Sequence, residues 1–474
     1  MKEKSLFVFL ILCFCMLLVP FVGMTVAPTT TTTENKELME LPKIKDEDGI
    51  NINYLSDLGD YFQEHFAFRQ EMVSANAKIY GEVFKSSTTD QVVIGTDGWM
   101  YYTGTLDDYL SENVMSDRAI FNAVHNLKLM QSYVESKNSQ FLLAIVPNKN
   151  SLYDENMPYY YKKIDSENNY EKLRKKMVEE GIHFIDLHET FSEIDEVLYL
   201  KRDSHWRNKG AVVAYNAIMS ELTTGYETYE NTPYEIKMEH LGDLTEMLYP
   251  LNSELEENEY YEKEWSWSYV GEVTDNMDEW IETNNPEQKE ALLMYRDSFG
   301  ETLLPFFAEA FGETYFSRLV PCNLGNVVQY TPEYTVIEKV ERRIPSFASE
   351  TPIMSAPTAR FSVTETIESN SSMEISLEGG YYSIRGYLDE TIMSPESEIY
   401  LLFTNGNGKS VGYIPFYISD ENATTCRDYG FGMYIEKASI PVDEYRVELV
   451  VKNNEHYTGV CMKQTDLKEV SMEE

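Results

Sequence analysis

The stretch EALLMYRDSFGETLLPFFAEAFG, Glu290–Gly312, reads as a strand, a sharp turn and a helix. Ser298 stands at the turn, where a side chain is lifted clear of a sheet. Working outward, strands and helices alternate. QFLLAIVP (Gln140–Pro147) is a continuous apolar run suited to a strand buried on both faces. NYEKLRKKMVEEG (Asn169–Gly181) is a helix with a glycine C-cap, and IHFIDLH (Ile182–His188) is the next strand. That β-α-β unit implies parallel strands and a right-handed crossover. DRAIFNAVHNLKLMQSYVESKN (Asp117–Asn138) is a helix with Ile120, Val124, Leu127 and Val134 on one stripe. NKGAVVAYNAIMSEL (Asn208–Leu222) is another helix, and EYTVIEKVERR (Glu333–Arg343) one more buried strand.

Nearer the N-terminus, QVVIGTDGWMYYTG (Gln91–Gly104) reads as a hairpin around Asp97-Gly98. Before it, Leu55, Leu58, Phe62, Phe66, Phe68, Val73 and Ile79 follow helical spacing. The Tyr-, Trp- and acid-rich insertion between Leu222 and Glu290 has no period that orders it. From about Thr351 the texture becomes short alternating strands with no helix signal, as in an all-β sandwich. In YYSIRGYL, Tyr381, Ser383, Arg385 and Tyr387 share one face; tyrosines filling a half-buried sheet are the favoured reading, with an exposed face that stacks on sugars as the alternative. The expected fold class is therefore α/β over 50–346, a mostly parallel sheet flanked by helices, then a β-sandwich over 351–474.

Lys2 and Lys4 precede an uncharged apolar run from Leu6 to Met24, long enough for a transmembrane helix with its basic flank in the cytoplasm. Residues 1–27 are expected to be an uncleaved signal anchor, with a cleaved signal peptide as the rival, and 28–49 a flexible linker. Either way the rest of the chain is exported, to an extracytoplasmic location. The net charge of −41, from 39 Lys+Arg against 80 Asp+Glu, argues against a nucleic-acid partner. Cys322, Cys426 and Cys461 lie outside the apolar run; a Cys426–Cys461 bridge and small buried thiols are both open. No C-x-x-C occurs, so no structural zinc site is expected.

Functional groups of open parallel sheets collect at the carboxyl ends of the strands. Ser298 follows one such strand, and Asp203 and His205 follow the strand-like EVLYL. A hydroxyl is a poor nucleophile until a base takes its proton, and histidine, with an unperturbed pKa of about 6.5, suits that task. Asp203 would hold the imidazole tautomer and stabilise the imidazolium. A helix beginning after Ser298 would point its positive end at the reaction. The bland alternative is that Asp297 and Ser298 simply cap that helix. A metal set of Asp186, His188, Asp203 and His205 has no supporting spacing, so no metal or other cofactor is expected. Histidines 65, 125, 183, 240 and 456 are read as structural or exposed.

The ordered motifs GTDGWMYY, VPNKNSLYDENMP, RDSHW, GDLTEML, DSFGETLLPFF and VIEKVERR resemble the AlgX/AlgJ-like, or DHHW, group of SGNH-hydrolase-like proteins over roughly 50–346. The resemblance implies a catalytic triad of Asp203, His205 and Ser298. It also implies O-acetylation of an exported polysaccharide, with the acetyl group supplied by a membrane-bound O-acyltransferase. Ser204 replaces the second member of D-H-H-W and is expected to point away from His205; Arg296 stands where Gly commonly precedes the D-S pair. An esterase using the same triad, or a non-catalytic cell-wall polymer binder, are the alternatives.

Asn148 and Lys149 are candidate oxyanion donors, with a loop turn as the bland alternative. Arg342 is a candidate to line the site, and Trp206 to pack beneath His205 or offer a sugar platform. Lys201, Arg202, Arg207, Lys209 and Arg296 suggest a basic pocket, with at least two of them in the cleft, lowering the pKa of His205 and attracting anions.

Overall fold

Runs of apolar residues with no polar alternation need cover on both faces, and the central sheet supplies it. The computed structural model describes residues 2–24, 26, 38–46, 49–164, 167–251, 254–378, 380–420, 428–439 and 445–461. Seven strands form the sheet: β1 (Gln140–Val146), β2 (Phe184–Ile185), β3 (Ser268–Val270), β4 (Trp280–Asn284), β5 (Ala291–Tyr295), β6 (Glu313–Ser317) and β7 (Tyr334–Val340). Their order is β2-β1-β7-β5-β6-β4-β3. The first five in that order are parallel, while β4 and β3 add an antiparallel edge. The sheet is thus mixed, with a parallel centre.

Alternate residues of each strand enter opposite cores. Leu142, Ala144 and Val146 of β1 join Leu292 and Met294 of β5 on one face. There they meet α3 (Asn208–Leu222) and α4 (Leu304–Ala310), through Val212, Tyr215, Leu304 and Phe307. Phe141, Leu143 and Ile145 face the other way, against α1 (Asp117–Ser136) and α2 (Asn169–Glu180), through Val124, Leu127, Leu173 and Met177. Each such fully buried side chain contributes ~1.5–3 kcal/mol. α2 begins with an Asn168/Glu171 capping box, and it ends at Gly181 in the left-handed conformation, the C-cap its sequence implied.

The hairpin is present: Val92–Ile94 pairs with Met100–Tyr102, and Asp97 and Gly98 both take positive φ. The single helix expected through Leu55–Ile79 is broken. It divides into Tyr54–His65 and Arg69–Ile79, with Phe68 left-handed between them, and Leu55, Phe68 and Ile79 are exposed.

The expected membrane-spanning helix is not met: no helix among the described residues is long and apolar enough to cross a membrane. A helix spans Lys2–Gly23. The proposed linker is largely outside the described residues, as is the Cys426–Cys461 pairing.

The C-terminal region holds a six-stranded and a four-stranded sheet. They share one core, in which Ile384, Phe431 and Met433 of one meet Ile399, Leu401 and Leu449 of the other. Tyr381 and Tyr387 are half-buried; Tyr381 meets Tyr434 edge-on, and Arg385 donates to the Tyr434 hydroxyl at 2.7 Å. This region docks on α1 through buried polar contacts. Asn126 donates to the carbonyls of Phe347 and Tyr417 and accepts from the Tyr417 amide, each at 2.8 Å.

Candidate active site

The nucleophile turn is held from below. The Asp297 carboxylate accepts from the amides of Phe299 at 2.9 Å and Val340 at 2.8 Å, and the Asp297 amide donates to buried Glu338 at 3.0 Å. A Cβ on Gly300 would lie 2.6 Å from Cβ of Arg296, so the turn closes only with glycine there. A 3₁₀ turn, Phe299–Glu301, follows Ser298, and α4 begins only at Leu304. The helix dipole expected at Ser298 is therefore displaced along the chain.

Asp203 and His205 do not follow a sheet strand. Their segment doubles back: Tyr199 bridges Trp206, and the Arg207 amide donates to the Leu198 carbonyl at 2.7 Å. Asp203 then makes an Asx turn, accepting from the His205 amide at 2.8 Å on the oxygen that also meets His205 Nδ1 at 2.8 Å. His205 Nε2 lies 2.8 Å from Ser298 Oγ. The three residues thus converge where β5 ends.

Two residues from the insertion complete the arrangement. His240 Nε2 lies 2.8 Å from the second Asp203 oxygen, which also accepts from the Asp243 amide at 3.1 Å. The Asp243 carboxylate accepts from the Ser204 amide at 2.7 Å and the Ser204 hydroxyl at 2.5 Å. Ser204 Oγ is 3.3 Å from His205 Nδ1, so Ser204 does not point away from the imidazole as expected. His240, read from sequence as structural or exposed, is a direct partner of Asp203. Only its tripeptide distance from GDLTEML, immediately downstream, hinted at that role.

Burial favours neutral Asp203, but the hydrogen bonds and charges of His205 and His240 outweigh it and hold the carboxyl well below its usual range. For His205, burial pushes the pKa down and the Asp203 bond and charge more than restore it, so the net direction is up. The expectation of a lowered value fails because the surrounding charge is acidic. The five basic residues do not enter the cleft. Arg202 pairs with Glu254 at 2.5 Å, Arg207 with Glu259 at 2.5 Å, and Lys209 with Glu196. Lys201 lies over the Trp99 ring, and buried Arg296 donates to the carbonyls of Asp297 and Asn276. Acids of the insertion thus engage Arg202 and Arg207, and Glu196, upstream of the motif, engages Lys209.

The candidate oxyanion donors are also engaged elsewhere. The Asn148 amide side chain donates to Asp108 at 3.0 Å, and its backbone N–H to Glu341 at 2.8 Å. Lys149, 4% exposed, donates to the carbonyls of Leu200, Lys201 and Asp203 at 3.0, 3.0 and 2.6 Å. Burial brings its pKa down to about 8. Lys149 therefore pins the segment that carries Asp203. Arg342 lies over the rings of Tyr102 and Phe299. Trp206 is buried, meets Phe299 edge-on at 5.2 Å and donates to Thr302 Oγ1 at 2.5 Å; the Phe299 ring in turn lies 4.7 Å from that of His205.

Asp186 caps a short helix and His188 faces Glu341, so neither joins Asp203 and His205 in a metal set. Asp203, His205 and Asp243 offer ligand atoms within 4.8 Å of one another. His205 Nδ1 and both Asp203 oxygens already have partners, so a cation there would have to break the Asp203–His205 bond.

Ser298, His205 and Asp203 sit in a cleft of about 610 Å³, whose lining includes Tyr260, Tyr261, Trp265 and Phe306. The insertion builds most of that aromatic wall, on the hairpin of Tyr234–His240 with Glu256–Tyr261.

Residues 92–270 match the family described as SGNH hydrolase-like domain, acetyltransferase AlgX. The resemblance drawn from the motifs is met over that stretch, which contains Asp203, His205, His240 and Asp243 and ends before Ser298. Among solved structures the chain is similar to a DHHW family protein from Eubacterium siraeum, at 15% identity and a TM-score of 0.43, covering 54% of this chain and 93% of that one. It is also similar to Bacillus cereus PatB1, at 15% identity and a TM-score of 0.44, covering 54% and 97%. Pseudomonas aeruginosa AlgX shares 14% identity at a TM-score of 0.37, covering 77% and 96%. No curated protein matches the chain.

Proposed function

We infer that the protein is an extracytoplasmic O-acetyltransferase that moves an acetyl group onto a polysaccharide hydroxyl through an acyl-Ser298 intermediate. The observation that carries this reading is the unbroken chain Asp203–His205–Ser298, with 2.8 Å at each link, opening into an aromatic-walled cleft. Ser298 Oγ attacks the donor's acetyl carbonyl while His205 Nε2 takes its proton. The tetrahedral oxyanion collapses, and His205 returns the proton to the leaving group. A sugar hydroxyl then gives its proton to His205 and attacks the acyl carbon, and Ser298 is regenerated. The Ser298 backbone N–H is the oxyanion donor best supported, since Asn148 and Lys149 are bonded elsewhere. The donor is a membrane-bound O-acyltransferase, as the family resemblance implies.

The test uses 4-nitrophenyl acetate and intact-protein mass spectrometry. Wild-type protein should acquire one acetyl group on the peptide containing Ser298, and Ser298→Ala and His205→Ala should acquire none. Full transfer by folded Ser298→Ala would sink the mechanism. Hydrolysis unaffected by any glycan would favour the esterase alternative.

A further inference from the structure

The cleft that holds Ser298 is lined, among the described residues, by acidic groups and by no basic Lys or Arg. Its four carboxylates are Asp203, Asp243, Glu246 and Glu301. Asp203 and Asp243 are committed to His205, His240 and Ser204. Glu246 and Glu301 are half-buried and make no side-chain hydrogen bond or ion pair within the described residues. The cations nearest in sequence are turned away, with Arg202 and Arg207 held by glutamates and Arg296 buried under the turn. Arg342, whose charge does act on His205, lies over the Tyr102 and Phe299 rings and outside the cleft lining. The opposite wall offers aromatic faces and amides: Trp265 meets Phe306 edge-on at 5.7 Å, and Asn258 and Asn276 border the opening.

We propose that the acceptor is a glycan free of acidic groups, recognised by sugar faces on the Trp265–Tyr261–Tyr260 wall, and that Glu246 and Glu301 exclude polyanionic glycans. This inference rests on the acetyltransferase reading and narrows it. A uronate or phosphate brought beside Ser298 would leave water to sit among unpaired carboxylates at low local dielectric. A neutral sugar meets no such penalty, and its hydroxyls are donors for the two glutamates. The whole chain acts in the same direction, because a net charge of −41 repels a polyanion before contact.

The experiment compares acceptors of matched length on the full chain, acetylated from 4-nitrophenyl acetate: a neutral xylo-oligosaccharide and an oligouronate. Product acetylation is read by mass spectrometry at low and high salt. The neutral oligomer should be acetylated at least tenfold faster, and salt should narrow the gap. Glu246→Gln and Glu301→Gln, made singly and together, should raise oligouronate acetylation relative to neutral. Equal or faster oligouronate acetylation by wild-type protein, or a gap untouched by both substitutions, would overturn the inference while a normal nitrophenol burst left the acyl-serine reading standing. Absence of any burst would overturn both.

Discussion

Replacing Asp203 with Asn tests the candidate site most severely. The two Asp203 oxygens accept four contacts: His205 Nδ1 and the His205 amide on one, His240 Nε2 and the Asp243 amide on the other. Asparagine has one acceptor oxygen and one NH₂ group, so it serves only half of this set. If the oxygen stays on the His205 side, the NH₂ faces the Asp243 amide, a donor against a donor. That leaves a poorly paired polar group, at ~1–3 kcal/mol of stability. If the amide flips, NH₂ faces His205 Nδ1 and forces the tautomer that carries its proton on Nε2. Nε2 then points an N–H at Ser298 Oγ and cannot accept the hydroxyl proton.

Both orientations remove the negative charge that stabilises the imidazolium, and the wrong tautomer in such a triad costs roughly 10⁴-fold in kcat, or about 5.5 kcal/mol. The expectation for Asp203→Asn is therefore a loss of ~10³–10⁴-fold in acyl-enzyme formation, with a stability loss of ~1–3 kcal/mol. Stopped-flow release of 4-nitrophenol gives the first and urea unfolding the second. A burst rate within tenfold of wild type, in folded protein, would refute the role given to Asp203.

Further outcomes follow from the same geometry. Because His205 is pushed above 6.5 by Asp203, it is protonated and idle at low pH, and the burst rate should rise with pH through an inflection above 6.5. His240→Ala, removing a competitor for Asp203, should move that inflection upward; a downward move would contradict the electrostatic account. Asp203 titrates well below its unfolded value, so its contribution to stability is complete above about pH 4 and is lost as pH falls through the depressed folded pKa. Asp203→Asn should flatten stability against pH in that acid window, measured by thermal melts. Lys149→Met should unpair three buried carbonyls and lower stability by ~3 kcal/mol or more, at about 1 kcal/mol or above for each; a stable variant with only its kcat lost would restore Lys149 as an oxyanion donor. Glu338→Ala should loosen the nucleophile turn and slow the burst, whereas Glu338→Gln, which keeps an acceptor for the Asp297 amide, should preserve it.

Legibility in the sequence divided according to whether a residue's surroundings were local. β1 and β5 were legible because a strand buried on both faces is apolar along its length, as Leu142–Val146 and Leu292–Tyr295 are. Ser298 was legible because a strand-to-helix turn places it at a strand's carboxyl end. The geometry of Asp203 and His205 was partly legible: their proximity follows from two-residue spacing, but an Asx turn rather than an extended strand brings them together.

Charge was the quantity that sequence proximity misjudged. Lys201, Arg202, Arg207 and Lys209 crowd the motif along the chain, yet Glu254, Glu259 and Glu196 reach at least three of these neighbours across a fold that no periodicity announced. The insertion that carries Glu254 and Glu259 also supplies His240, Asp243 and Glu246, and with them the sign of the cleft. Its strand Tyr234–His240 is mostly exposed, so its side chains carry little hydrophobic signal, and the hairpin is held instead by pairing with Glu256–Tyr261. A segment stabilised by pairing and polar contacts leaves no apolar period to read, and here that segment sets what the cleft will accept.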